Sequence, residues 1–563
     1  MILKYASILF IVLLFTPDII FAQKPYTKYW IAFADKLNSP YHIDQPQAFL
    51  TAKALERRAK YNIPVNNTDI PVNLTYIEAI KNTGVKVLYT SRWMNGCVIA
   101  TQDEIALNKI NQLPFVIANE GVTMVAPAPK NGKKQETQTI TEFDPLRNET
   151  YFGGAHWQTQ MLNGDYLHAQ GYTGKGMTVA VLDAGFNNAQ NMEIFEHLYK
   201  ENRLLGAYDL VDGDNDPYGG SNHGTQVLSI MAGKKPGIFV GACPDANYYL
   251  FRTEETSSET RIEEYNWLAA AEIADSLGVD VFNTSLGYTD FDTLTMNYSY
   301  NDLDGNTTVI ARASDMAASK GILVVNSAGN SGNSDWYYLN SPADADSILT
   351  VGAVDSLGVY ANFSSHGPTS DGQIKPNVVG QGKRTYLVNP DGSMARSNGT
   401  SFSSPLIAAL SACLWQANRN LNNMEIIKII EQSASNYDNP NNDIGYGLPD
   451  YFKALQLANN RYKAVASLNQ QFPAKVNKAI GVAYPNPTNG SELYLFYQSP
   501  RYEVIQLALY DSAGRLISQQ EHTVLEGVPS NISILGWDGV TRGQYVIKVQ
   551  NSLEELNVKT QKL

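Results

Sequence analysis

Three short segments set an aspartate, a histidine and a serine in order along the 563 residues: V-A-V-L-D-A-G (179–185), S-N-H-G-T (221–225) and N-G-T-S-F-S-S-P (398–405). Asp183 ends an apolar strand pattern, His223 opens a helical one, and Ser401 stands at the start of another. Singly, such residues are ordinary helix caps and Asx turns. Together they have the types that nucleophilic acyl transfer needs. A serine hydroxyl attacks a carbonyl once a base takes its proton, an imidazole is that base, and a carboxylate fixes the imidazole's tautomer. Charge then grows on the carbonyl oxygen and must be met. Asn330 in S-A-G-N-S-G offers a side-chain amide donor, and the Ser401 N–H a second. Thr400 or Ser401 is expected as the N-cap of its helix, with Pro405 in the first turn. Gly224 keeps a side chain away from the His223 ring, and Gly399 allows close backbone approach. Six other histidines lack comparable flanks, and His366 in F-S-S-H-G-P reads as structural.

These residues must be held by a scaffold, and residues 150–460 alternate strands and helices. Short apolar strands are expected at 177–183, 246–252, 279–286, 322–327 and 348–354. Helices are expected at about 223–233, 260–277, 307–320, 401–418 and 424–434. Continuous apolar strands alternating with helices imply an α/β fold, a parallel sheet covered on both faces, with sites beyond the carboxyl ends of its strands.

Two smaller units flank it. In residues 23–128, a strand at 28–34, helices at 45–61 and 73–82, strands at 85–91 and 96–101, a helix at 102–112 and a strand at 114–118 approximate βαββαβ, a ferredoxin-like α+β pattern. The polar, aperiodic stretch P-K-N-G-K-K-Q-E-T-Q-T (129–139) marks a linker spanning 129–149. After a second linker at 461–479, residues 480–563 show period-2 segments at 492–497, 505–511, 515–518 and 544–549 between Gly-rich turns, which implies an antiparallel β-sandwich.

At the other end, Lys4 precedes a ten-residue apolar run, A-S-I-L-F-I-V-L-L-F (6–15), too short to span a bilayer. It reads as a signal peptide over 1–22, cleaved after Ala22. No later run suggests a transmembrane segment. A net charge of −13 and a pI of about 5.1 argue against nucleic acid as the main partner. Cys97, Cys243 and Cys413 are read as buried free thiols in preference to a Cys243–Cys413 disulfide. D-G-D-N-D (212–216) and N-D-L-D-G-N (301–306) cluster oxygen ligands without completing an EF-hand loop, so they read as solvated loops, structural calcium being the alternative.

With V-A-V-L-D-A-G-F, N-H-G-T-Q-V, G-A-C-P-D-A, F-N-T-S-L-G, V-N-S-A-G-N-S-G, K-P-N-V-V-G and G-T-S-F-S-S-P in this order, residues 150–460 resemble a subtilisin-like serine peptidase, a subtilase of the peptidase S8 family. The resemblance implies a three-layer parallel-sheet catalytic domain, a triad of Asp183, His223 and Ser401, and Asn330 as oxyanion donor. It also implies that Ser285, Leu286 and Gly287 pair with the substrate backbone, that Ser327, Ala328 and Gly329 wall the P1 pocket, and that no cofactor is required. Ser403 and Cys243 stand where alanine is commoner.

The 23–128 unit is similar in pattern to subtilase propeptides. The tail resembles the sorting domain of type IX secretion cargo in Bacteroidota, on Y-P-N-P-T-N-G, L-Y-D-S-A-G-R, G-Q-Y-V-I-K-V and K-T-Q-K-L; a carbohydrate- or wall-binding module is the alternative there. The expectation is therefore a secreted or outer-membrane-surface endopeptidase acting on proteins or peptides. It would be made as a zymogen inhibited by its own propeptide, cut between about 125 and 155, and passed to secretion machinery. An exported esterase or amidase, and a non-catalytic surface-binding protein on the same scaffold, are the other readings.

Overall fold

The computed structural model describes residues 26–124, 151–460, 478–490, 492–501, 503–524 and 530–563. The expected signal peptide, the 129–149 linker and nearly all of the 461–479 linker lie outside them.

The first unit runs β1 (Tyr26–Phe33), α1 (Ala52–Lys60), α2 (Leu74–Lys81), β2 (Lys86–Ser91), β3 (Gly96–Ala100), α3 (Glu104–Asn111) and β4 (Val116–Met124). Its antiparallel sheet has the order β2-β3-β1-β4, which is the ferredoxin-like arrangement. The first helix starts later than its periodicity suggests. Pro46 sits in a separate 3₁₀ turn, and the Thr51 side chain caps α1 by accepting from the Ala54 N–H. Alternation along β1 and β3 sends Ile31, Cys97 and Ile99 towards α2 and α3, and Trp30 and Val98 towards the larger domain.

The large domain adds α4 (His156–Gln160), α5 (Gly164–Ala169), β5 (Thr178–Asp183), α6 (Glu196–Lys200), β6 (Leu204–Asp209), α7 (His223–Ala232), the short pair β7 (Lys234–Lys235) and β8 (Phe239–Val240), and β9 (Asn247–Arg252). There follow α8 (Ile262–Leu277), β10 (Val281–Thr284), α9 (Val309–Ser319), β11 (Leu323–Ser327), β12 (Leu349–Val354), β13 (Val378–Gln381), the hairpin β14 (Thr385–Val388) and β15 (Met394–Ser397), α10 (Thr400–Ala417) and α11 (Asn423–Ser433). Seven strands form one parallel sheet ordered β13-β12-β11-β10-β5-β9-β6. On β5, Val179 and Val181 face the core built with α7, α10 and α11, while Ala180 and Leu182 face the core built with α8 and α9. The expected three-layer α/β architecture is therefore present. The two edge strands, β6 and β13, are additions to the strands expected from the apolar runs.

Helix α8 has a second face, and the first unit's sheet lies on it. Trp30 stacks on Tyr265 with ring centroids 4.9 Å apart, and the Tyr89 hydroxyl donates to the Asn266 amide oxygen at 2.6 Å. At the far end of the helix, Arg57, Arg58 and Arg92 all pair with the buried carboxylate of Asp275. Arg58 also meets Asp69, which Lys320 contacts at 3.1 Å.

The tail forms two antiparallel sheets, β16 (Ile480–Tyr484), β17 (Tyr494–Gln498) and β20 (Ser530–Ser533), and β18 (Glu503–Asp511), β19 (Leu516–Val524), β21 (Gly543–Gln550) and β22 (Glu555–Lys562). They enclose one core around Leu495, Leu507, Trp537 and Ile547, the sandwich expected. Cys97, Cys243 and Cys413 are free and buried.

Candidate active site

Three segments distant in sequence meet beyond the carboxyl ends of the central strands. β5 ends on Asp183, which is 1% exposed, and α7 begins on His223. The His223 Nδ1 lies 2.8 Å from the Asp183 Oδ1, which also accepts from the Ala184 N–H at 2.7 Å. The second carboxylate oxygen, Oδ2, is buried and has no hydrogen-bond partner among the described residues. Gly224 is demanded by packing. A Cβ there would stand 2.4 Å from the Gly185 carbonyl and 3.1 Å from the Asp183 Cβ, so the start of α7 can close on the end of β5 only through glycine.

Burial works against a charged His223, but the adjacent Asp183 carboxylate outweighs it through charge and hydrogen bond, and Glu254 adds to it. The net effect raises the imidazole above its ordinary value.

Ser401 lies at the second residue of α10, buried, one residue before Phe402, whose ring centroid is 5.7 Å from that of His223. The Ser401 hydroxyl donates to the Ser285 main-chain oxygen at 3.3 Å; among the described residues, no hydrogen bond joins it to His223. Catalytic hydrogen bonds of unliganded enzymes are often formed only with substrate present.

Two local expectations need correction. The N-cap of α10 is Gly399, not Thr400 or Ser401, with φ at +153° and no side-chain cap. A side chain is not needed there because the Thr400 N–H is met from across the site, by the Asn330 Oδ1 at 2.8 Å. Pro405 is the sixth residue of α10, hence in its second turn and not its first. There its missing N–H leaves the Ser401 carbonyl without its helical donor, and the Ser285 hydroxyl fills that place at 3.1 Å.

Asn330 follows β11 by three residues. Its Oδ1 accepts from both the N–H and the hydroxyl of Thr400, at 2.8 and 3.0 Å, while the Thr400 hydroxyl oxygen accepts from the Gly329 N–H at 3.2 Å. With Oδ1 committed, Nδ2 is the free end of the amide. It lies 3.7 Å from where a Cβ on Gly399 would stand, at the N-terminus of α10. Sequence reasoning misses Thr400 as the residue that orients Asn330; its position directly before Ser401 is the available signal.

Ser285, Leu286 and Gly287 are not in the sheet, as an expected strand over 279–286 would have them. β10 ends at Thr284, and these residues run on beyond it, outside any ladder. Ser327 closes β11, and the Ala328 N–H donates to the Val351 carbonyl at 2.9 Å, which ties the segment Ser327–Gly329 to β12 just before Asn330. His366 stands apart from this group. It is held by Asp443 at 2.8 Å and Tyr360 at 2.7 Å and stacked on Tyr337.

The acidic loops have spent their carboxylates locally. Asp212 pairs with Arg252, Asp214 and Asp216 accept from N–H groups of their own loop, and Asp304 accepts from Asn306 and Thr307. Among the described residues, no group of three or more His, Cys, Asp or Glu is gathered for a metal ion.

Comparison with known proteins identifies the family of the chain. The model of the Subtilase family matches residues 174–447, that of the Peptidase S8 propeptide domain of Bacteroidota residues 28–140, and that of the Secretion system C-terminal sorting domain residues 482–563. A thermophilic serine proteinase of Bacillus sp. (strain AK1) is 30% identical over 322 residues, which cover 56% of this chain and 69% of the relative. Subtilisin E of Bacillus subtilis (strain 168) is 28% identical over 317 residues, covering 56% and 74%. The crystal structure of MycP1 from Mycobacterium smegmatis matches with a TM-score of 0.43 at 24% identity, over 54% of this chain and 87% of that one. The chain belongs to the subtilase family. It is a secreted subtilisin-like serine endopeptidase, with a propeptide domain before its catalytic domain and a secretion sorting domain after it.

Proposed function

We propose that Ser401 is the nucleophile, His223 the general base and then the general acid, and Asp183 the group that orients His223 and stabilises its charged form. Asn330 Nδ2 and the Ser401 N–H hold the oxyanion. The observation that carries this reading is the 2.8 Å contact from Asp183 to His223 Nδ1, which leaves Nε2 as the nitrogen free to take a proton. His223 removes the Ser401 proton as Oγ attacks the peptide carbonyl. The charged oxygen gathers donors at the N-terminus of α10, where helix N–H groups also point. His223 returns the proton to the leaving amine, and water releases the acyl-enzyme by the same route in reverse. These roles use side chains and main chain of this protein alone, and no step is routed through calcium.

Ser285, Leu286 and Gly287 accept the substrate backbone as an added strand. Their support is that they continue β10 without ladder partners of their own. Such backbone pairing favours peptides over simple esters. Ser327, Ala328 and Gly329 form one wall of the P1 pocket.

The divisions are read as signal peptide 1–22, propeptide 23–128, linker 129–149, catalytic domain 150–460, linker 461–479 and sorting domain 480–563. The propeptide acts as an intramolecular inhibitor. In support, its last strand ends against the start of α8, with the Thr123 hydroxyl 3.2 Å from that of Thr260 and Glu120 3.5 Å from Arg261. The sorting domain directs the protein through a type IX pathway to the cell surface or beyond it.

The test is Ser401→Ala in the full-length chain. Peptide hydrolysis and self-cleavage between about 125 and 155 should both be lost. Self-cleavage at the wild-type rate would overturn the assignment.

A further inference from the structure

Proline inside helix α10 has a consequence for the residue four positions before it. In an unbroken helix the N–H of residue 405 would bond to the carbonyl of Ser401. Pro405 has no N–H, so that carbonyl is open, and the Ser285 hydroxyl donates to it at 3.1 Å. Ser285 has then used its only proton. Its oxygen accepts from the Asn283 side-chain amide N–H at 3.1 Å, which fixes which way that amide points. The Asn283 Oδ1 in turn accepts from the Ser404 hydroxyl at 3.0 Å. Ser404 is back on α10, next to Pro405.

The result is a closed circuit from helix to strand to helix. Asn283, Ser285, Ser401 and Ser404 are all buried. Asn283 and Ser404 have no hydrogen bond to His223, Asp183 or Asn330 among the described residues, so the acyl-transfer chemistry does not account for them. A buried amide whose two ends are both spent on side-chain hydroxyls, one on the nucleophile helix and one at the neighbouring strand end, sets the height of one element against the other. That height decides where Oγ of Ser401 stands relative to a backbone laid along Ser285–Gly287.

We propose that Asn283 is a positioning residue for Ser401, acting through the Ser285 hydroxyl and anchored by Ser404. The inference rests on the reading of Ser401 as nucleophile. Asn283 touches no reacting atom. Its loss should lower turnover without altering substrate binding, and Ser404 should matter only while Asn283 is present.

The test uses the full-length chain, whose self-cleavage is followed at several protein concentrations so that its concentration-independent, first-order part reports turnover free of binding. Asn283→Leu should slow self-cleavage and fluorophosphonate labelling of Ser401 together, by about 10- to 100-fold. After processing, KM for a peptide should stay at the wild-type value. Ser404→Ala should give a smaller loss, and adding it to Asn283→Leu should cost nothing further, because two changes on one pathway are not additive. Wild-type rates in a cooperatively folded Asn283→Leu chain would overturn the proposal, as would full additivity or a change confined to KM. If Asn283→Leu does not fold, Asn283→Ser with Ser404→Ala runs the same cycle. Failure of the nucleophile reading looks different: the probe would mark a residue other than Ser401 in every variant. Label on Ser401 at an unchanged rate in all of them removes only the positioning role.

Discussion

The Oδ1 of Asp183 sits 2.8 Å from the Nδ1 of His223, while its Oδ2 is buried with no hydrogen-bond partner among the described residues. The carboxylate is thus aimed at the imidazole by the end of β5 and kept out of water, where it acts at full strength on the ring. Asp183→Asn keeps the shape but supplies an amide that can hold the wrong tautomer. The expected loss in kcat is about 10⁴-fold, the scale of the equivalent change in a trypsin-type triad, with the fold intact by circular dichroism. A loss under tenfold would mean that His223 is oriented by something else.

The pH profile follows from the same field. His223 must be neutral to accept a proton, so kcat/KM rises as pH climbs through its raised pKa. Glu254 contributes to that rise, and its own carboxyl is pushed up to about 7 by burial, with Asp183 and Glu264 adding to it. Glu254→Gln removes a negative charge that favours imidazolium. The acid limb should therefore move to lower pH. An unmoved limb, or one shifted upward, would contradict the assigned field.

Asn330→Leu removes the proposed oxyanion donor. Turnover should fall by about 10²- to 10³-fold, the scale found for the corresponding amide of subtilisin, with little change in KM. Thr400→Val retains the donor but removes the hydroxyl that accepts from Gly329 and donates to Asn330. A smaller loss, about tenfold, is expected in kcat. Equal losses in the two variants would show that Asn330 acts structurally and not on the reacting oxygen.

Much of this site is legible in the order of residues along the chain. Apolar runs ending in Asp183 and near Asn330, and helical patterns opening at His223 and Ser401, place all four residues on one edge of a parallel sheet, where they are found. What escapes the sequence is non-local. The Ser285–Ser401 contact joins residues 116 apart, and nothing in S-L-G or T-S-F-S-S-P announces it. β6 escapes because it is a half-exposed edge carrying Gly206, and β13 because V-V-G-Q is too short to show a period. The late start of α1 and the second-turn Pro405 share a cause. Periodicity reports which face is buried, whereas helix ends are set by whichever donor or acceptor reaches them.

The propeptide contact makes a prediction of its own. Asp275 is the single carboxylate on which Arg57, Arg58 and Arg92 converge. Asp275→Ala would remove the anion that the three guanidiniums share, leaving Arg58 with Asp69, Arg92 with Glu272 and Arg57 with no carboxylate among the described residues, and breaking a buried ion pair costs about 3–5 kcal/mol. Inhibition of the processed enzyme by the separate 23–128 unit should weaken by at least about 100-fold, while peptide turnover after processing stays at the wild-type level. Unchanged inhibition would place the binding energy in the Trp30–Tyr265 stack and its apolar surroundings instead.

The proposed role of Ser401 as carrier of the acyl group can be tested directly by active-site labelling. A fluorophosphonate reacts preferentially with an activated serine, so the processed enzyme should be labelled and then digested for peptide mass spectrometry. A single adduct on Ser401 is expected, its formation abolished by His223→Ala and matched by a proportional loss of peptidase activity. An adduct on any other residue, or full peptidase activity in an enzyme whose Ser401 is completely labelled, would contradict it.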